Sequence, residues 1–216
     1  KDIFALPRGA GYWIWKHKII FDTLKNVNDG DIVIYSDSGS SFNSKAKKRF
    51  FEYIEMLNDS KFGNFRIQCE KQYIEKDWTT KELFNYFNID LDSEIAKSTQ
   101  LEATQMIFKK SQDSMDFFNE YSDVISHDMY LISDEYNSSN QVESFVENRH
   151  DQSIFSLLSK KRGCVSIENE THFSSDPTKQ YDYPFLSVRT YGHGLKDKLK
   201  FKINYQKKYD LPVFFD

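Results

Sequence analysis

Residues 28–40, NDGDIVIYSDSGS, decide the fold. A polar turn is followed by a β-branched run from Ile32 to Tyr35, the pattern of a buried parallel strand. That strand delivers Asp37 at its carboxyl end, with Ser38 and Gly39 directly behind it. In open α/β sheets, ligands bind off the carboxyl ends of the strands, so an acidic residue there is well placed for a cation. Hard divalent ions such as Mg²⁺ or Mn²⁺ take oxygen ligands, commonly one or two carboxylates together with substrate phosphates. Ser38 adds a hydroxyl, and Gly39 allows the backbone to come close. A polar turn closed by an Asx-turn at Asp37 would look the same at this stage.

Working outward, GYWIWKHKIIFDTLKNV (11–27) carries Trp13, Ile14, Ile20, Phe21 and Leu24 at helical spacing. KAKKRFFEYIEMLND (45–59) reads as a second helix, and FRIQCE (65–70) as a strand. TTKELFNYF (79–87) reads as a helix opened by a Thr79/Glu82 capping box. ATQMIFKK (103–110) is a strand, SQDSMDFFNEYSDVIS (111–126) a helix and CVSIE (164–168) a strand. Strands alternating with helices predict an α/β domain with a mixed, mainly parallel sheet flanked by helices. With no repeat, low-complexity tract or Pro/Gly linker, residues 1–216 form a single domain. The stretch from Thr171 onward is polar, aromatic and irregular, a composition that suits functional loops.

The 29 basic against 33 acidic groups give a net charge of −4, which excludes a broad electrostatic footprint for nucleic acid but leaves room for a local basic pocket. No apolar run approaches the ~20 residues of a membrane span, and no signal peptide is visible. Cys69 and Cys164 stand far apart and read as two buried free thiols of a reducing compartment, hence a cytoplasmic protein. The chain opens at Lys1 without Met, as a fragment of a longer protein would.

Three further constellations carry chemistry. In RGAGYWIWK (8–16), Gly9 and Gly11 precede a helix whose free N–H groups attract anions, and Arg8 and Lys16 add charge. Trp13 and Trp15 point to different sides, so one can stack on a base or sugar; a helix start with aromatic packing fits equally. In ENRHDQSIFSLLSKKRG (147–163), an amphipathic helix with Ile154, Phe155, Leu157 and Leu158 as its apolar stripe is entered through Arg149, His150, Asp151 and Gln152. Such a cluster exceeds what a cap requires and suits a helix end that faces a ligand. A carboxylate at a helix N-terminus is held as an anion, so Asp151 is a weak base unless burial raises its pKa, which favours substrate positioning or a nucleophile over the base role. In RTYGHGLKDK (189–198), His193 lies between glycines beside Arg189, Lys196 and Lys198. Its imidazole suits a metal and the cations suit phosphate oxygens, although a surface loop histidine reads the same. His172 competes for the ligand role. Cys-x-x-Cys pairs, Walker loops, Gly-x-Ser-x-Gly elbows and His-Glu-x-x-His helices are absent from the sequence.

Taken in order, RGAGYWIWK, DGDIVIYSDSG, STQLEATQMIFKK and ENRHDQSIFSLL resemble the small GT-A-type glycosyltransferases that decorate surface polysaccharides and viral capsid proteins. The resemblance runs from about Arg8 to about Arg189. It implies a GT-A-like, Rossmann-like domain that moves a sugar from a nucleoside-diphosphate donor to a glycan or glycoprotein acceptor with Mn²⁺ or Mg²⁺. Asp37 matches the first position of that family's Asp-x-Asp, while Gly39 stands at the second, so fewer protein oxygens are left for the ion. The helix start at Arg149, His150, Asp151 and Gln152 matches the segment beneath the donor sugar, which implies a catalytic or donor role for Asp151. A histidine near the C-terminus is often a ligand in related folds, which favours His193. Such domains begin with a nucleotide-binding strand and helix, and no hydrophobic strand precedes Gly9, so that unit is expected upstream.

The chemistry of glycosyl transfer needs positive charge at the departing diphosphate. An ion on Asp37, or Arg8, Lys16 and Arg189, would supply it. Asp151 and Gln152 would face sugar hydroxyls, and Tyr12 and Trp13 would hold the base or acceptor ring. Two rival readings are a catalytically inactive domain that binds glycans or a partner, and a sugar nucleotidyltransferase.

Overall fold

The computed structural model describes Ile3, Leu6 and residues 8–171 and 182–187. A four-stranded sheet, β1 (Ile32–Ser36), β3 (Asn64–Ile67), β4 (Gln105–Lys109) and β5 (Val165–Ile167), runs in the order β1-β4-β3-β5. β4 is antiparallel to both neighbours, and among the described residues only β3 and β5 pair in parallel. The sheet is therefore mixed, but its pairings are not mainly parallel as the βα alternation predicts. Hydrophobic periodicity carries no direction, so the reversal of β4 leaves no mark in the sequence. Among the described residues β1 is also an edge strand with one neighbour, and Ile34 is exposed, unlike a doubly buried parallel strand.

Alternation along the strands separates two apolar layers. Met106 and Phe108 belong to the larger core, with Ile20, Phe21 and Leu24 of α2 (Trp15–Lys25) and Phe117, Phe118 and Tyr121 of α6 (Gln112–His127). Ile107, Phe65 and Ile67 face the other way, against Tyr53 and Leu57 of α3 (Lys47–Asn58) and Phe185. A two-stranded sheet, β2 (Ser40–Phe42) with β6 (Phe185–Ser187), lies on that side. Gln105 ties it to the main sheet by donating to Ser40 Oγ and Ser187 Oγ at 2.6 and 2.8 Å.

The helix α7 (Asp151–Arg162) is not the surface amphipath its apolar stripe suggests. It is buried from Asp151 through Ser159 on every side. Small serines at every third position make this affordable. Ser153 donates to the Trp78 carbonyl (2.8 Å), Ser156 to Glu75 (2.5 Å), and Ser159 accepts from Asn64 (2.8 Å). α6 opens with a Ser111/Ser114 capping box. The expected box at α4 (Lys81–Phe87) does not form. Thr80 is the N-cap residue, Thr79 donates to Glu75, and Glu82 accepts from Ser139 and Gln141. Tertiary partners have taken both side chains. A short helix, α5 (Glu94–Lys97), precedes β4. Cys69 is a buried free thiol, while Cys164 is only half-buried.

Candidate functional site

Because β4 is reversed, its start lies at the same sheet edge as the ends of β1 and β3. A cleft of about 790 Å³ opens there. Asp37, Ser38 and Gly39 line it from beyond β1, Cys69 and Glu70 from beyond β3, and Glu102 and Thr104 from before β4. Trp13, Trp15, Tyr73, Arg149 and Gln152 complete much of the wall. A smaller recess of about 230 Å³ is lined by Arg8, Lys16, Asp37, His150, Asp151 and Gln152, among others.

Lys16 is the hub of the recess. Its side chain is 3% exposed, and Nζ lies 3.3 Å from Asp37 Oδ1 and 2.7 Å from Asp151 Oδ2. It also donates to the Ala103 carbonyl (3.1 Å) and sits 5.0 Å from the centre of the Tyr35 ring. The Tyr35 hydroxyl donates to Asp37 Oδ1 at 2.7 Å, and burial together with that carboxylate raises its pKa. The strand-end aspartate and the helix entrance, 114 positions apart, thus meet on one ammonium. Asp37 uses its carboxylate for tertiary contacts rather than for an Asx-turn.

Burial raises the pKa of Asp151, and the opposing pull of Lys16 does not cancel it. His150, the N-cap residue, adopts φ 59° and ψ −124° and places Nε2 2.9 Å from Asp134 Oδ1. Burial lowers the His150 pKa despite Asp134. Tyr12 stacks on its imidazole with centroids 4.7 Å apart, and Trp13 lies tilted at 5.8 Å. Arg8 pairs loosely with Asp134 and Glu147 at 3.8 and 3.7 Å. The Arg149 guanidinium lies over Tyr73 and Trp78 at 4.6 and 5.4 Å.

The glycines before α2 do not form an anion nest. Gly9, Ala10, Gly11, Tyr12 and Trp13 all have positive φ, a left-handed turn (α1, Gly9–Tyr12). Successive N–H groups from Gly11 onward are taken: Gly11 donates to Leu6, Tyr12 to Arg8, Trp13 to Gly9 and Ile14 to Gly11 carbonyls. Gly11 is buried. Left-handed geometry costs non-glycine residues roughly 1–2 kcal/mol each, so Ala10, Tyr12 and Trp13 hold stored strain. The turn aims Tyr12 at His150 and Trp13 at the cleft. Tyr12 therefore braces the helix entrance, while Trp13 and Trp15 line the cleft together with Tyr35 and Tyr73.

No protein-family model and no curated protein matches the chain.

Of the expected site residues, the structure brings together Arg8, Trp13, Lys16, Asp37, Arg149, His150, Asp151 and Gln152 around the recess, and Ser38 and Gly39 on the cleft wall. Arg189, His172 and His193 lie outside the described residues. Whether a divalent ion fits turns on Asp37: Oδ1 faces Tyr35 and Lys16, whereas Oδ2 takes no partner among the described residues, and the side chain is 38% exposed. Among the described residues no group of three or more His, Cys, Asp or Glu is arranged to hold an ion. One carboxylate oxygen remains, which fits an ion that arrives with substrate phosphates and completes its shell from them. The sign of the cleft favours such an ion, since Asp37, Glu70 and Glu102 line it with Arg149 as the sole lining cation among the described residues.

Tyr35, Glu70, Tyr73 and Glu102 were not singled out by motif. Glu70 follows a strand end in the same way as Asp37, so the carboxyl-end rule applied to FRIQCE would have found it. Glu102 precedes a strand and becomes legible only once β4 is known to run backwards.

Proposed function

We propose that the cleft binds a nucleoside-diphosphate sugar and that the protein is a glycosyltransferase acting on a glycan or glycoprotein acceptor. The observation that carries this reading is the convergence of Asp37 and Asp151 on Lys16 at the junction of cleft and recess. Those are the two motifs that the resemblance assigns to the nucleotide diphosphate and to the donor sugar.

A divalent ion, Mn²⁺ or Mg²⁺, held by Asp37 and the donor's phosphates would offset the negative charge that builds on the departing diphosphate. Lys16 fixes the Asp37 and Asp151 carboxylates relative to each other. Trp13 or Trp15 stacks on the base or a sugar ring, and Arg149, braced on two aromatic faces, approaches the anion without a carboxylate to neutralise it. Asp151 sits against the sugar. Its raised pKa removes the objection to a base role that a helix N-terminus raises, and it takes the proton of the acceptor hydroxyl as the new glycosidic bond forms.

The test is a thermal-shift screen of nucleoside diphosphates and nucleotide sugars, with Mn²⁺, Mg²⁺ or EDTA. A shift that needs both nucleotide and ion, and that Asp37→Ala abolishes, is the expected result. No shift with any nucleotide would remove the donor assignment and favour a glycan- or partner-binding domain. A shift indifferent to EDTA and to Asp37→Ala would remove the metal assignment alone. Among the described residues no helix is long and apolar enough to cross a membrane.

A further inference from the structure

Behind the cleft wall lies a chain of buried polar groups that reaches Gln152, and its inner members, Glu75 and Gln100, have no part in the donor reading. It begins at Glu75, which is 0% exposed. Glu75 Oε2 accepts from Ser156 and Lys160, each at 2.5 Å, and Oε1 accepts from Thr79 Oγ1 at 2.9 Å and from Gln100 Nε2 at 3.1 Å. Gln100 Nε2 also lies 3.2 Å from the Trp78 carbonyl oxygen and 2.9 Å from Thr79 Oγ1.

These neighbours settle which way the Gln100 amide points. An ionised carboxylate and a backbone carbonyl can only accept, so the Gln100 end that meets them must be the NH₂ group. Its Oε1 is then turned to Gln152, whose Nε2 donates to it at 2.8 Å. The same logic passes one residue further. With its NH₂ committed to Gln100 and to Cys69 Sγ at 3.5 Å, Gln152 has only its carbonyl left. Gln152 is 92% buried by its 8% exposure, it lines both cleft and recess, and its Oε1 takes no partner among the described residues.

We propose that Glu75 and Gln100 fix the Gln152 amide so that Oε1 accepts a hydroxyl of the bound sugar, making Gln152 a specificity-determining residue and Gln100 its positioning residue. The hydroxyl partner rests on the nucleotide-sugar reading. A phosphate or carbonyl oxygen is repelled at this point, because Gln152 cannot turn its amide round without setting its carbonyl against that of Gln100. The carboxylate of Asp37 on the same wall has the same preference for a donor.

The experiment is calorimetric titration of the full chain, with Mn²⁺ present, by UDP, UDP-glucose, GDP and GDP-mannose. The gain in affinity from nucleoside diphosphate to nucleotide sugar is the quantity read. Gln152→Met, close in size but without an acceptor oxygen, should lose roughly tenfold of that gain, the worth of one or two hydrogen bonds, and leave nucleoside-diphosphate affinity unchanged. Gln152→Asn, which keeps the amide but withdraws it by one methylene, should lose the gain in the same way and controls for folding. Gln100→Leu should lose part of it, and should speed exchange of the Gln152 side-chain amide protons seen by NMR.

A full sugar gain in both Gln152 variants overturns this inference while leaving the donor reading intact. Equal loss of nucleoside diphosphate and nucleotide sugar also overturns it, since Gln152 would then only support the fold. Silence of the unaltered protein toward all four probes overturns the donor reading and this inference with it.

Discussion

Lys16 Nζ lies 2.7 Å from Asp151 Oδ2, with the two side chains 3% and 7% exposed. Asp37, the other carboxylate on this ammonium, keeps contact with solvent at 38% exposure. Removing Lys16 therefore strands Asp151 far more than Asp37. Lys16→Met should lower unfolding free energy by about 3–5 kcal/mol, the usual cost of leaving a buried charge without its partner. Adding Asp151→Asn to Lys16→Met should recover much of that loss. Urea denaturation of both variants checks it, and equal stability of the single and double variants would show that Asp151 is not the stranded charge.

The pH dependence of Asp151 has a definite sign. Burial, ahead of the Lys16 attraction, raises its folded pKa above 3.8. The native state then holds this proton more tightly than the unfolded chain. Stability from the group is fully present below the unfolded pKa and is lost as pH rises through the higher folded value. Asp151→Asn has no such titration. Relative to the unaltered protein, its stability should climb as pH passes upward through the carboxylate range and then level off. Melting curves from acid to neutral pH measure this, and a difference that falls with rising pH would reverse the assignment. Under the proposed glycosyl transfer, activity of the same variant should drop sharply despite the intact fold.

His17 and His150 behave in the opposite sense. Burial is the leading cause in each, and it lowers both pKa values from 6.5. Their stability contribution is present above the unfolded pKa and is lost as pH falls through the folded values. Their ring C2 protons should titrate below 6.5 by NMR. Asp134 supports the charged form of His150, so Asp134→Asn should move the His150 midpoint further down and leave His17 in place. Equal movement of both would point to general loosening.

What the sequence revealed follows from the kind of signal each element leaves. The helices α6 and α7 and the strands β1 and β4 show as periodic or β-branched runs, and their existence was legible. The direction of β4 was not, because alternation of Met106, Ile107 and Phe108 is the same read either way. The motif at Thr79 and Glu82 misled because local capping lost to tertiary bonds with Glu75, Ser139 and Gln141. The left-handed turn was hidden for another reason. Ala10, Tyr12 and Trp13 break the conformational preferences from which turns are read, and the strain is held by contacts with His150 and Gly9. Asp37 and Asp151 were legible as chemistry, whereas their meeting on Lys16 needed the fold.

The turn itself can be tested at Gly9. Its φ is +59°, and a Cβ there would lie 2.5 Å from Trp13 Cδ2 and 2.6 Å from Cε2, so the indole must move. Gly30 offers the comparison, with φ +90° and open space within 4 Å of a Cβ. Gly30→Ala should show the backbone penalty alone, about 1 kcal/mol. Gly9→Ala should add the displacement of Trp13 to a similar penalty, for a total of about 2–3 kcal/mol. Trp13 would also leave its place beside His150 and on the cleft wall, so tryptophan fluorescence should shift and nucleotide affinity should fall. Equal destabilisation of the two variants, with unchanged fluorescence, would mean that Trp13 is free to swing aside and that the left-handed turn does not set its position.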